Sequence, residues 1–227
     1  MKRIRELITE LRTKYPSDNF FANFESSCLS EPAKRKHYRS YNDALMLLDK
    51  DSWEILKAKA IEQFGNHRAG QLKQGFFNQL NEAFAYRYLL RRRFKSIRFI
   101  PEATKKTPDI RFTDGGKESY CEVKTMGISN DEINRRKGGV YSGTIYLDLS
   151  PGFLNKLKDA ITLAWEQIHS LGPTGLVFIL IRFDDIALDH YSSRYRKQLT
   201  KFCQSQGYKD LVFKIGHRGN RYIRNLT

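Results

Sequence analysis

Apolar positions along this 227-residue chain change their spacing several times, and each change marks a predicted element. Ile4, Leu7, Ile8 and Leu11 recur at helical spacing and predict a short helix ending before Pro16. Phe20, Phe21 and Phe24 follow without a clear period and lead into the basic run Lys34-Arg35-Lys36-His37-Tyr38-Arg39, so this stretch reads as irregular. Asp51 and Glu54 have the spacing of a capping box. They open a helix whose inner stripe is Trp53, Leu56, Ala60, Ile61 and Phe64, with Gly65 at its end. Residues 71 to 92 predict a longer helix: Phe76, Leu80, Phe84 and Tyr88 mark one face, and Ala83, Ala85, Leu89 and Leu90 make its second half apolar nearly all round.

Three strands follow at 96–101, 108–113 and 119–125, the last two flanking the hairpin sequence Asp114-Gly115-Gly116. Residues 126–143 are polar, basic and glycine-bearing and read as a loop, with a further strand at 144–149. Ser150 caps a helix with Pro151 in its first turn and Gly172 beyond its end, its inner side lined by Leu154, Leu157, Ile161, Ala164, Trp165 and Ile168. Residues 176–183 are almost continuously apolar, as in a central strand covered on both faces. A helix at 192–206 and a strand at 211–215 complete the series. This order predicts an α/β fold, a mixed central sheet flanked by helices over residues 71–227, behind a helical N-terminal extension at 1–70.

Composition narrows the class. Hydrophobic residues make up 40% of the chain, enough for a core. The longest aliphatic-aromatic run, Leu176 to Ile181, is far shorter than the ~20 residues of a membrane span. Met1-Lys2-Arg3 is followed by Arg5, Glu6, Glu10 and Arg12, which interrupt any signal-peptide core. Cys28, Cys121 and Cys203 are odd in number and widely spaced, which points to reduced thiols and a cytoplasmic protein. The five histidines lack paired ligand spacing and no C-x-x-C accompanies them, which argues against zinc.

Charge points to the partner. Forty Lys and Arg face 25 Asp and Glu, a formal net charge of +15, and such a chain attracts polyanions. Eight basic residues lie between Arg87 and Lys106 against Glu102 alone, among them Arg91, Arg92, Arg93, Lys105 and Lys106. Arg135, Arg136 and Lys137 add a second cluster, and tyrosines and phenylalanines are interspersed. The expected partner is nucleic acid, DNA ahead of RNA, and not a membrane.

The hairpin carries the candidate chemistry. In Tyr120-Cys121-Glu122-Val123-Lys124, side-chain alternation puts Glu122 and Lys124 on one side of the strand and Cys121 and Val123 on the other. If Gly115-Gly116 is a two-residue turn, facing positions sum to 231, and Asp109 lies across from Glu122; a three-residue turn would put Asp109 opposite Cys121 instead. The alternation of Ile110 and Phe112 with Arg111 agrees with the 231 register. Two carboxylates with Cβ atoms ~5 Å apart are stable only with positive charge between them, and a divalent cation with oxygen ligands suits that place. Such an ion could grip a phosphate oxygen while Lys124 orients water or neutralises developing charge.

Pro108-Asp109 followed by Glu122-Val123-Lys124 resembles the PD-(D/E)XK nuclease superfamily, and the likeness extends in element order over residues 71 to 216. The resemblance implies an αβββαβ restriction-endonuclease-like core. It also implies a Mg²⁺- or Mn²⁺-dependent nuclease, with endonucleolytic cutting of DNA as the expected activity. Asp109 and Glu122 would be the metal ligands, with the Val123 carbonyl and Glu82 as candidate further ligands and Lys124 in a catalytic role. Glu82 sits roughly opposite the Phe76-Leu80-Phe84 face, which leaves a solvated position equally open. A homodimer would suit the cutting of both strands. Two other readings stand beside this one: a binding module of the same fold that does not cut, and a basic scaffold in which the hairpin acids are a solvated charge pair.

Overall fold

The computed structural model describes residues 1–66, 73–101, 106–127, 148–182, 191–216 and 222–224. The chain is α/β and forms two compact units, Met1–Pro101 and Glu102–Thr227.

The first unit is built from five helices and one strand: α1 (Lys2–Lys14), α2 (Phe24–Ser30), α3 (Pro32–Leu45), α4 (Lys50–Gly65), α5 (Gln74–Arg91) and β1 (Lys95–Phe99). Ile4, Leu7, Ile8 and Leu11 are buried along α1, as their spacing predicts. The segment expected to be irregular is instead largely helical. Pro32 stands in the first turn of α3, where its missing N–H costs nothing, and Tyr38, Tyr41, Ala44 and Leu45 form a buried stripe. The basic residues 34–36 and 39 are exposed on the same helix, and their charge hides that stripe in the sequence. The cap of α4 also differs from expectation. Asp49, not Asp51, accepts the Ser52 N–H at 2.9 Å, so the helix starts two residues earlier than the Asp51–Glu54 pattern suggests.

Phe21, Phe64 and Phe76 meet in this unit's centre, Phe21 stacked on Phe64 at 5.8 Å and Phe76 edge-on to it at 5.4 Å. α5 is buried on nearly every side from Leu80 to Leu89; it packs against α3 and α4, and β1 packs against α4 and α5. This packing explains why the units divide after Pro101 and not at residue 70, where the sequence pattern places the boundary.

The described residues of the second unit contribute five strands of mixed sheet, β2 (Ile110–Asp114), β3 (Lys117–Met126), β4 (Gly175–Ile181), β5 (Leu211–Ile215) and β6 (Tyr222–Arg224), adjacent in that order. β2 and β3 are antiparallel, β3, β4 and β5 are mutually parallel, and β6 returns antiparallel to β5. Helices α6 (Pro151–His169) and α7 (Ser192–Gln206) form the two crossovers. The continuous apolar run at 176–181 is the central strand and is buried throughout. Ser150 caps α6 by accepting the Phe153 N–H at 3.1 Å, and Leu157, Ile161, Ala164 and Ile168 are its buried stripe. Trp165, expected to pack, is only half-buried and stacks on His169 at 5.4 Å. The expected strand at 144–149 falls mostly outside the described residues; positions 148 and 149 are not extended ladder.

α6 packs on β3 and β4, and one glycine permits the close approach. A Cβ on Gly175 would lie 2.4 Å from the Tyr120 carbonyl oxygen and 2.8 Å from Ile168 Cγ2, so β3, β4 and α6 converge where no side chain fits. Gly175→Ala is therefore expected to destabilise the fold by about 1–3 kcal/mol. Urea denaturation tests this, and an unchanged midpoint would show that the contact yields without strain.

Candidate active site

The β2–β3 turn places the site. Gly115 and Gly116 have φ of 54° and 82°, the left-handed pair of a two-residue hairpin turn. The ladder pairs Asp114 with Lys117, Phe112 with Ser119 and Ile110 with Cys121, so facing positions sum to 231. Asp109 occupies the next position of that register but lies one residue before β2 begins. Its carboxylate therefore does not stand straight up from the sheet. It reaches along the end of the ladder, where Oδ2 accepts the Val123 N–H at 2.7 Å. A side chain thus takes the place of the next backbone acceptor, and Asp109 is fixed to the residue between Glu122 and Lys124.

Glu122 is only 3% exposed. Its Oε1 accepts a hydrogen bond from Lys124 Nζ at 2.6 Å, and its Oε2 has no donor among the described residues. The Asp109 carboxylate beside it offers no donor while both are ionised, only a shared proton. Burial, then the charge of Asp109, push the Glu122 carboxyl up to about 8, and Lys124 opposes the shift without cancelling it. Lys124 has a second acceptor, Gln167 Oε1 of α6, also at 2.6 Å. Gln167 Nε2 in turn donates to the Thr107 carbonyl at 3.2 Å.

Asp109, Glu122, Val123 and Lys124 are therefore brought together, and Gln167 joins them. Nothing in the sequence singles out Gln167. It adjoins the buried Ile168 at the rim of the α6 stripe, where a glutamine reads as solvated. Glu82 lies on α5 in the first unit and is 4% exposed, which corrects the solvated alternative. Arg91, Arg92 and Arg93 are exposed at the end of α5 in that unit, and Lys106 is exposed in the second. Lys105, Arg135, Arg136 and Lys137 lie outside the described residues. Among the described residues no group of three His, Cys, Asp or Glu side chains could hold a metal ion. No helix among them is long and apolar enough to cross a membrane. Cys28, Cys121 and Cys203 are free and buried.

Comparison with protein-family models, curated proteins and solved structures finds no match in any of the three. The chemistry of this site accordingly rests on its own geometry.

Two hard oxygen donors, one of them lacking a hydrogen-bond donor, fit a small divalent cation that keeps most of its coordination as water. Without such an ion the site balances its charge by keeping a proton on Glu122. The native state then holds a proton that the unfolded chain releases between pH 4.5 and about 8, so stability falls as pH rises through that window. Glu6, Glu25 and Asp49, whose carboxyls are held below their usual range, act at lower pH with the opposite sign. In metal-free buffer Glu122→Gln is expected to remove a stability loss on the order of a few kcal/mol between pH 5 and 8. Parallel pH profiles of unfolding for the two proteins would disprove the shared-charge account.

Proposed function

We propose that this chain is a metal-dependent nuclease with a PD-(D/E)XK-type core, hydrolysing phosphodiester bonds in DNA. The observation that carries the reading is the convergence of Asp109, Glu122 and Lys124 at the open end of one hairpin, with a buried carboxylate oxygen left without a donor. Asp109 and Glu122 would hold a Mg²⁺ or Mn²⁺ ion. The chemistry supplied by such an ion when bound is neutralisation of phosphate charge and acidification of a coordinated water. Asp109 is held in place by the Val123 N–H, so one ligand is already oriented. Lys124 keeps an ammonium beside the acids, where it can donate to the attacking water or to the charged phosphate. The excess of 40 basic over 25 acidic residues supplies the general attraction for a polyanion.

The five strands of mixed sheet and their crossover helices are compatible with a restriction-endonuclease-like core. A binder without catalysis accounts less well for the site. Two acids turned toward a polyanion weaken binding, and they become useful only when a cation lies between them.

Incubation with supercoiled and linear DNA, with Mg²⁺, Mn²⁺ or EDTA, tests the reading. The wild type is expected to cut only with metal, and Glu122→Gln or Lys124→Ala to lose ~10²-fold or more of the rate while still binding DNA. Tight binding without metal-dependent cutting by the wild type would favour the binding module. Absence of binding at low salt would remove both nucleic-acid readings.

A further inference from the structure

We propose that Gln167 is the positioning residue for Lys124, holding its ammonium at the site independently of Glu122; this deepens, and rests on, the nuclease reading above. The amide orientation is fixed by its neighbours. Lys124 Nζ can only donate and the Thr107 carbonyl can only accept, so Oε1 faces the lysine and Nε2 faces the carbonyl. One side chain from α6 thereby ties β3 to the segment that leads into Asp109, joining both arms of the hairpin that carries the acids.

The reason for a second acceptor follows from competition. The Lys124 ammonium and a metal ion both seek Glu122, and Lys124 already occupies Oε1 at 2.6 Å. An ion bound by Glu122 weakens that bond, because the carboxylate's charge is then shared and the two cations repel. With Glu122 as its sole acceptor, the ammonium would leave as the ion arrived. The neutral Gln167 carbonyl has no charge to lose, so it retains Lys124 in the loaded site. A carboxylate at position 167 would also accept from Lys124, but it would repel the Thr107 carbonyl and add a third negative charge. Glutamine is the residue that meets both partners.

The test reads Lys124 directly as well as activity. The full chain is treated with an amine-acetylating reagent, with and without Mg²⁺, and Lys124 modification is followed by mass spectrometry. The exposed Lys156 and Lys158 of α6 serve as internal references. In the wild type Lys124 is expected to stay protected in both conditions. In Gln167→Ala its acetylation rises several-fold, and more with Mg²⁺ than without. DNA cleavage by that variant falls on the order of 10- to 100-fold in kcat with KM for DNA little changed. Gln167→Glu separates the two halves of the bridge and is expected to protect Lys124 yet still lose rate. Glu166→Gln, exposed on the same turn, should match the wild type in every readout. Equal Lys124 acetylation in the wild type and Gln167→Ala, with folding intact, would overturn the proposal whether or not DNA is cut. A wild type that cuts no DNA but shows the acetylation difference would leave the tether standing and remove the nuclease reading.

Discussion

The carboxylates of Asp109 and Glu122 share the end of one hairpin, and Glu122 is almost wholly withdrawn from water. Desolvation of Glu122 and then the repulsion of the Asp109 charge both disfavour its ionised form. Three things can offset this: a proton, a neighbouring ammonium or a multivalent ion. The fold supplies the first two. Lys124 donates to one oxygen of Glu122, and a proton retained up to about pH 8 completes the balance. Under the proposed nuclease reading, a divalent ion would stand in for that proton between the two carboxylates.

The rest of the second unit serves that arrangement. The glycine turn sets the register, and the register sets which acids share a face. The parallel ladder with β4 buries the base of β3, and the approach at Gly175 lets α6 lie close enough for Gln167 to reach Lys124. A shift of one residue in the hairpin would turn Glu122 and Lys124 into the opposite layer and separate them from both Asp109 and α6.

The parts of this arrangement that depend on local rules were legible in the sequence. Gly115-Gly116 permits positive φ at two successive positions, and a two-residue turn there sets the pairing down the hairpin. The alternation of Ile110 and Phe112 points the same way. The central strand, α6 with its Ser150 cap and α7 were likewise readable from spacing and caps. Contacts between distant residues were not. Gln167 meets Lys124 across 43 positions, and an amphipathic helix has many polar rim residues of which one makes such a bond. The direction of the Asp109 side chain was half legible: parity gave its place opposite Glu122, but where the ladder ends determines that it caps the Val123 N–H. In the first unit, α3 was hidden because exposed basic residues interrupt its buried stripe. The chain divides into its compact units elsewhere than the sequence pattern does, because α5, apolar nearly all round only in its second half, has no sequence mark showing that it packs on α3 and α4.

Anomalous diffraction from Mn²⁺-soaked crystals tests the central claim most directly. The account predicts a single strong peak within coordination distance of one oxygen each of Asp109 and Glu122, with Lys124 drawn away from Glu122. No peak there at saturating Mn²⁺, with Glu122 still bonded to Lys124 as in the ion-free protein, would contradict it.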